Sequence, residues 1–197
     1  MLDSLHANSA QHLQLGEGLL LADVDLDALL SAEDPLSAIA DAAAGEAAIG
    51  ATLEGCVFSC VPAVLHTEAR GNRTPVDGAS LAGSWKVTLS GTMLACSCVN
   101  AARLLNTAVP EDTPHTVLPL PAAPSATAAM QCLCWIGTMG NGLLAIELHA
   151  PLSLKGMTFR AGYRGTGEMP FTFLAQQRSA ADVTLPFRLH WLKGAFT

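Results

Sequence analysis

"IGATLEGCVFSCVPAVLHTEARGNRTPVDGASLAGSWKVTLSGTML" spans residues 49–94 and reads in three parts. From Gly50 to His66 apolar residues crowd both alternating positions around Cys56 to Val61, which predicts a strand buried on both faces. Residues 68–83, "EARGNRTPVDGASLAG", are polar, carry both charge signs and are punctuated by glycine and proline. They predict a long loop, which must satisfy its own backbone or have a partner satisfy it. Beyond it Trp85, Val87 and Leu89 alternate with Lys86, Thr88 and Ser90, the period of a half-exposed strand. Gly91 predicts a bulge or bend.

The flanking sequence continues the pattern. "HLQLGEGLLLADVDL" (12–26) predicts an extended segment with a glycine break. Asp34-Pro35 predicts a helix start, the aspartate as N-cap and the proline at the first helical position, ahead of an alanine-rich run weakened by Gly45. "NAARLLNTA" (100–108) predicts a short helix capped by Asn100, and residues 109–127 a proline-rich connection. "MQCLCWIGTM" and "LLAIELHA" flank Gly140-Asn141-Gly142, a hairpin signal, with Leu144, Ile146 and Leu148 sharing a face. "MTFRAGY" and "EMPFTFLAQQ" predict further strands, and "LPFRLHWL" aligns Leu185, Phe187, Leu189 and Trp191. No 20–50-residue repeat is present. The expectation is a single domain, residues 1–197: mainly β, a β-sandwich or barrel with one or two short helices.

Composition narrows the function classes. Half of the 197 residues are hydrophobic and only 14% are charged, against about 25% in an average soluble domain. A surface so poor in charge predicts burial against other copies. A net charge of −7 argues against a binder of nucleic-acid backbones, which needs a basic footprint. "MLDSLHANSAQHLQ" lacks the basic and apolar regions of a signal peptide. No residue from Thr116 to Ile146 is charged, but Pro119, Pro121 and Pro124 would break a membrane-spanning helix there. A soluble protein made in a cytoplasm, without a membrane partner, is expected.

Candidate chemistry fails on spacing. "GASLAG" around Ser80 places its second glycine one residue late for a nucleophile elbow, and a strand rather than a helix follows. "GTMGNG" and "GTGEMP" lack the lysine and the helix of phosphate loops. "DVDLD" (Asp23, Asp25, Asp27) begins like a calcium loop, but Ala28 stands where glycine is required and Asp34 where glutamate is. In a strand these aspartates would form one acidic stripe. The six histidines are scattered, and Asn72-Arg73-Thr74 is a glycosylation sequon without secretion to give it meaning. Cys56/Cys60, Cys96/Cys98 and Cys132/Cys134 are evenly spaced, so each pair shares a strand face as small core filler. None makes the knuckle of a structural zinc site. No catalytic residue, metal ligand or cofactor is expected, and no hydrolase nucleophile–base set can be named.

The order of these weak features resembles the major tail tube protein of tailed bacteriophages and phage-like particles, over roughly residues 13–191. Ile49-Gly50-Ala51-Thr52 matches the family's "IGAT-x-GG" strand start, with Glu54-Gly55 in place of the double glycine. Val61-Pro62-Ala63-Val64 resembles its "xPEI" step, and the loop through Gly83 matches in place and length. Asn100 to Asn106 stands at the family's short helix, and residues 135–177 resemble its long hairpin and closing "G-x-x-P-V-T-F-x-A" strand. "LQLGEGLLLADVDLDAL" is similar to the family's opening. The cysteine content, the missing glycine and the 109–127 stretch depart from the pattern.

The resemblance implies a subunit that closes six-fold into rings, which stack into a hollow tube conducting DNA without specific binding, or puncturing a target. Its place is the virion tail, assembled in the host cytoplasm. Its partners are itself and other tail proteins: a sheath if the tail contracts, a tape measure, a baseplate and a terminator. It casts Glu68, Arg70, Asn72, Arg73, Pro75, Asp77 and Gly78 as an inter-ring assembly loop, and Asp23, Asp25, Asp27 and Glu147 as candidates to face the lumen. The competing expectation is a β-sandwich binding module of a phage particle, for instance carbohydrate-binding. Against it, only 5% of residues are aromatic and the tryptophans fall on apolar strand faces.

Overall fold

The long central segments pair with each other before anything else. In the structure, a computed structural model, β3 (Ala48–His66) and β4 (Ser80–Met93) form an antiparallel ribbon whose register runs from Thr52↔Met93 to His66↔Ser80. The structure describes residues 12–15, 18–45, 47–66, 80–94, 97–107, 130–139, 142–159, 167–179 and 184–193. Ser80 to Gly83, expected in the loop, are strand, and residues 67–79 lie outside the described residues. Gly91 sits opposite an irregularity where the register steps from Leu53↔Thr92 to Val57↔Ser90. A Cβ there would lie 2.5 Å from the Cys56 sulfur, so close packing as well as the bulge demands glycine.

β1 (His12–Leu15) and β2 (Gly18–Ala22), divided at the predicted glycine break, pair successively along the other side of β3. β5 (Cys132–Met139) and β6 (Gly142–His149) form the predicted hairpin, down to Met139↔Gly142. β7 (Leu152–Ser153), β8 (Met169–Leu174) and β9 (Phe187–Lys193) complete the sheet. The order is β7-β8-β4-β3-β2-β5-β6-β9, nine strands with β1 beside β3, every pairing antiparallel. The fold is thus mainly β. The residues 157–159 of "MTFRAGY" are not strand.

One face of this sheet closes over itself. Leu20, Cys56, Phe58, Val87, Leu89, Leu133, Trp135, Leu144, Ile146, Phe171 and Phe173 join one buried core. Strands far apart in the sheet meet there: the Phe58 and Phe187 rings lie 5.2 Å apart. β3 is buried on that face only. Cys56 and Phe58 are inside, while Val57, Ser59 and Val61 are half-exposed, which corrects the reading of a strand covered on both sides. The interior is fastened by a buried polar node. Thr52 Oγ1 accepts from Trp135 Nε1 (3.3 Å) and from Gly18 N (3.0 Å), and donates to Gly18 O (3.1 Å).

The opposite face of β2, β5 and β6 is covered by α1 (Leu26–Leu30) and α2 (Pro35–Ala44). Leu26 and Ile39 pack on Leu21, Cys132, Cys134, Ile136, Leu143 and Ala145. α2 starts as predicted, with the Asp34 carboxylate accepting from Leu36 N and Ser37 N and Pro35 in the first turn. α3 (Cys98–Leu104) begins two residues before its predicted start, and its cap is Ser97 rather than Asn100. Asn100 is buried and donates Nδ2–H to Ile49 O at 2.6 Å, tying the helix to the start of β3. The predicted connection 109–127 lies outside the described residues.

Candidate functional site

Register gives the sheet two unlike ends. β3 ends at His66, and the antiparallel partners place Gly18, Met139, Gly142 and Lys193 toward that end. Ala22, Cys132, His149 and Phe187 lie toward the other.

At the first of these ends, among the described residues, the core runs out before the strands do. β1 accompanies β3 only to Ser59, and β8 accompanies β4 only to Thr88. Among the described residues the ribbon beyond them has no further strand on either side. The core-facing row of β4 continues from Val87 to Trp85, which is 48% exposed; that of β9 continues from Leu189 to Trp191, 55% exposed. Two of the three tryptophans therefore stand in solvent, and only Trp135 is core. This corrects the expectation drawn from apolar faces: the alternation was read correctly, but among the described residues the opposing layer ends first.

The sheet edges also differ. At β7 the Asn106 side chain acts as a substitute strand, donating Nδ2–H to Ser153 O (3.0 Å) and accepting from Ser153 N (2.9 Å). β9 pairs with β6 on one side, and among the described residues no strand covers its other side.

At the far end the chain leaves β2 through Asp23, whose φ of 56° lies in the left-handed region that aspartate tolerates. The four acidic candidates converge here on a cleft of about 460 Å³, with Cys132, Arg178 and Arg188 also in its wall. Asp23 Oδ1 accepts from Gln131 N (2.6 Å) and Cys132 N (3.1 Å), pinning the turn to β5. Asp25 caps α1 through Ala28 N (3.1 Å). Asp27 pairs with Arg188 Nη1 at 2.6 Å. Glu147, only 4% exposed, receives Arg188 Nε and Nη2, each at 2.8 Å, and lies 3.5 Å from His149 Nε2. Hydrogen bonds to Glu147 and then Asp27 hold the Arg188 guanidinium above its ordinary pKa.

The acidic stripe is thus corrected: β2 ends at Ala22, and Asp23, Asp25 and Asp27 occupy a turn, a cap and a helix. Each has a partner that strand reasoning missed, distant in sequence for Asp23 and Asp27; Asp25 ahead of Leu26 was the legible cap signal. Glu147 lies on a strand as expected. Glu68, Arg70, Asn72, Arg73, Pro75, Asp77 and Gly78 lie outside the described residues. Among the described residues no helix is long and apolar enough to cross a membrane. No family model, curated protein or solved structure matches the chain.

Proposed function

We propose that the chain is a structural subunit that assembles with its own copies into hexameric rings and stacks them into a hollow tube of the phage-tail kind. The observation that carries this reading is the β3–β4 ribbon. Among the described residues it runs beyond the neighbouring strands with Trp85 exposed at its base, and a two-stranded ribbon alone is marginal in water. Among the described residues β9 has no strand on its outer edge, and such an edge beside an exposed Trp191 is a template for a neighbour's strand. The two ends differ: one carries the exposed Trp85 and Trp191, the other a charged cleft, and unlike ends suit head-to-tail contacts, which propagate as a filament. On this reading Glu68, Arg70, Arg73 and Asp77 pair with the adjoining ring, and the net negative charge lets DNA slide rather than stick. Sheath, tape-measure, baseplate and terminator proteins would be its other partners, in a virion tail.

The direct check is sedimentation of the purified chain across a concentration series. The reading expects a pelleting polymer that Trp191→Glu reduces to small species with unchanged circular dichroism. A monomer at every concentration would contradict it.

The exposed tryptophans also favour a second reading, a carbohydrate-binding β-module, since such modules stack sugars on exposed aromatic rings. Glycan binding by the monomer, lost on Trp85→Ala without a change in assembly, would select that alternative.

A further inference from the structure

Two exposed charges stand at opposite ends of the sheet, and among the described residues neither has an ionic partner. Lys86 lies on the stretch of β4 that runs beyond β8, paired with Val61 of β3. Asp25 lies in the wall of the 460 Å³ cleft, where its carboxylate accepts from Ala28 N at 3.1 Å. Lys86 alternates with the core residue Val87, and Glu147 of the cleft alternates with Ile146 and Leu148. The lysine and the cleft therefore share the face of the sheet that points away from the core.

Their surroundings are complementary in charge. Residues 59–66 and 80–88 of the ribbon include Lys86 and neither aspartate nor glutamate. The cleft wall sets four carboxylates, Asp23, Asp25, Asp27 and Glu147, against Arg178 and Arg188. Arg188 already binds Glu147 and Asp27, and Asp23 is held by Gln131 N and Cys132 N. The wall is net negative, and Asp25 is its exposed carboxylate still without a cation.

We propose that Lys86 of one copy docks in the cleft of the next, its ammonium on the Asp25 carboxylate. This contact rests on the head-to-tail reading proposed above and gives it the two surfaces that meet. Joining like ends would set lysine against lysine or carboxylates against carboxylates. Joining unlike ends pairs opposite charges and leaves each copy one free end of each kind, so the contact propagates. A single exposed ion pair is weak and screened by salt. Its part is direction and register: it admits head-to-tail neighbours and penalises the reverse.

The test is sedimentation at low ionic strength of the parent chain, Lys86→Glu, Asp25→Lys and the double variant, with folding checked by circular dichroism. Each single variant is expected to raise the concentration needed for pelleting by about tenfold. The double variant, and an equimolar mixture of the two single variants, should recover toward the parent. Single variants that pellet at the parent's concentration would overturn the contact while leaving the head-to-tail reading standing. Impairment that the double variant does not relieve would overturn it too, because the two charges then do not meet. A parent chain that stays monomeric removes the reading and the contact together. Should Asp25→Lys not fold, Asp25→Asn keeps the helix cap. Its mixture with labelled Lys86→Glu should carry more of the label into the pellet than Lys86→Glu alone does, and no difference overturns the contact.

Discussion

Thr52 shows how one residue can fix the meeting of three strands. Its hydroxyl joins Trp135 of β5 to the backbone of Gly18 at the start of β2. Gly18 is required by space: a Cβ would come within 2.4 Å of the Trp135 indole. Gly18→Ala is expected to destabilise the fold by about 1–3 kcal/mol through overpacking, read as a lower urea midpoint at unchanged slope. Trp135→Ala, emptying the largest fully buried side chain, is expected to cost about 3–5 kcal/mol. At the charged end, Arg188→Ala leaves Glu147 buried with only His149 beside it. The expected loss is about 2 kcal/mol, below the ~3–5 kcal/mol of a fully dry pair because the Arg188 side chain is 45% exposed. Arg188→Ala with an unchanged midpoint would show that Glu147 needs no guanidinium. Such partners were not legible in the sequence, since Glu147 and Arg188 are 41 positions apart and meet only through the β6–β9 register. Asn100 was misread for a related reason. Asparagine and serine both cap helices, and only the fold reveals that Asn100 spends its amide on Ile49.

At the scale of elements, the sequence was most readable where local chemistry decides. Asp34-Pro35 marked α2 because cap and proline act within one turn, and Asp34→Ala is expected to cost about 0.5–2 kcal/mol, measured by thermal unfolding. The hairpin of β5 and β6 and the break between β1 and β2 were legible from glycine. Alternation misled at Asp23 to Asp27, where apolar spacing continued past the strand into a helix only five residues long. It misled again at Trp85 and Trp191, because periodicity reports which face a residue shares and not how far the opposite layer extends. The ribbon has a dynamic consequence. In the free subunit, the amides of Val61 and Ala63 should exchange with solvent far faster than those of Leu133 to Ile136, and assembly should protect them. Exchange rates equal to those of β5 in a monomer would mean that the ribbon needs no neighbour.

At the scale of the whole molecule, mainly-β architecture followed from the alternation in residues 49–94, whereas the order of nine strands did not. Pairings such as β2 with β5 join segments separated by more than a hundred residues, and no local pattern specifies them. The low charge of the chain and its exposed Trp85 and Trp191 are two separate observations behind the proposal that other copies cover this surface. Deleting residues 70–78 should spare the folded subunit, because the paired strands end at His66 and Ser80, while shortening or abolishing its polymers. Negative-stain electron microscopy of the purified parent chain tests the central claim most directly. The account predicts long tubes with an axial hole and six-fold rings in cross-section; a field of single, unassociated particles at high protein concentration would contradict it.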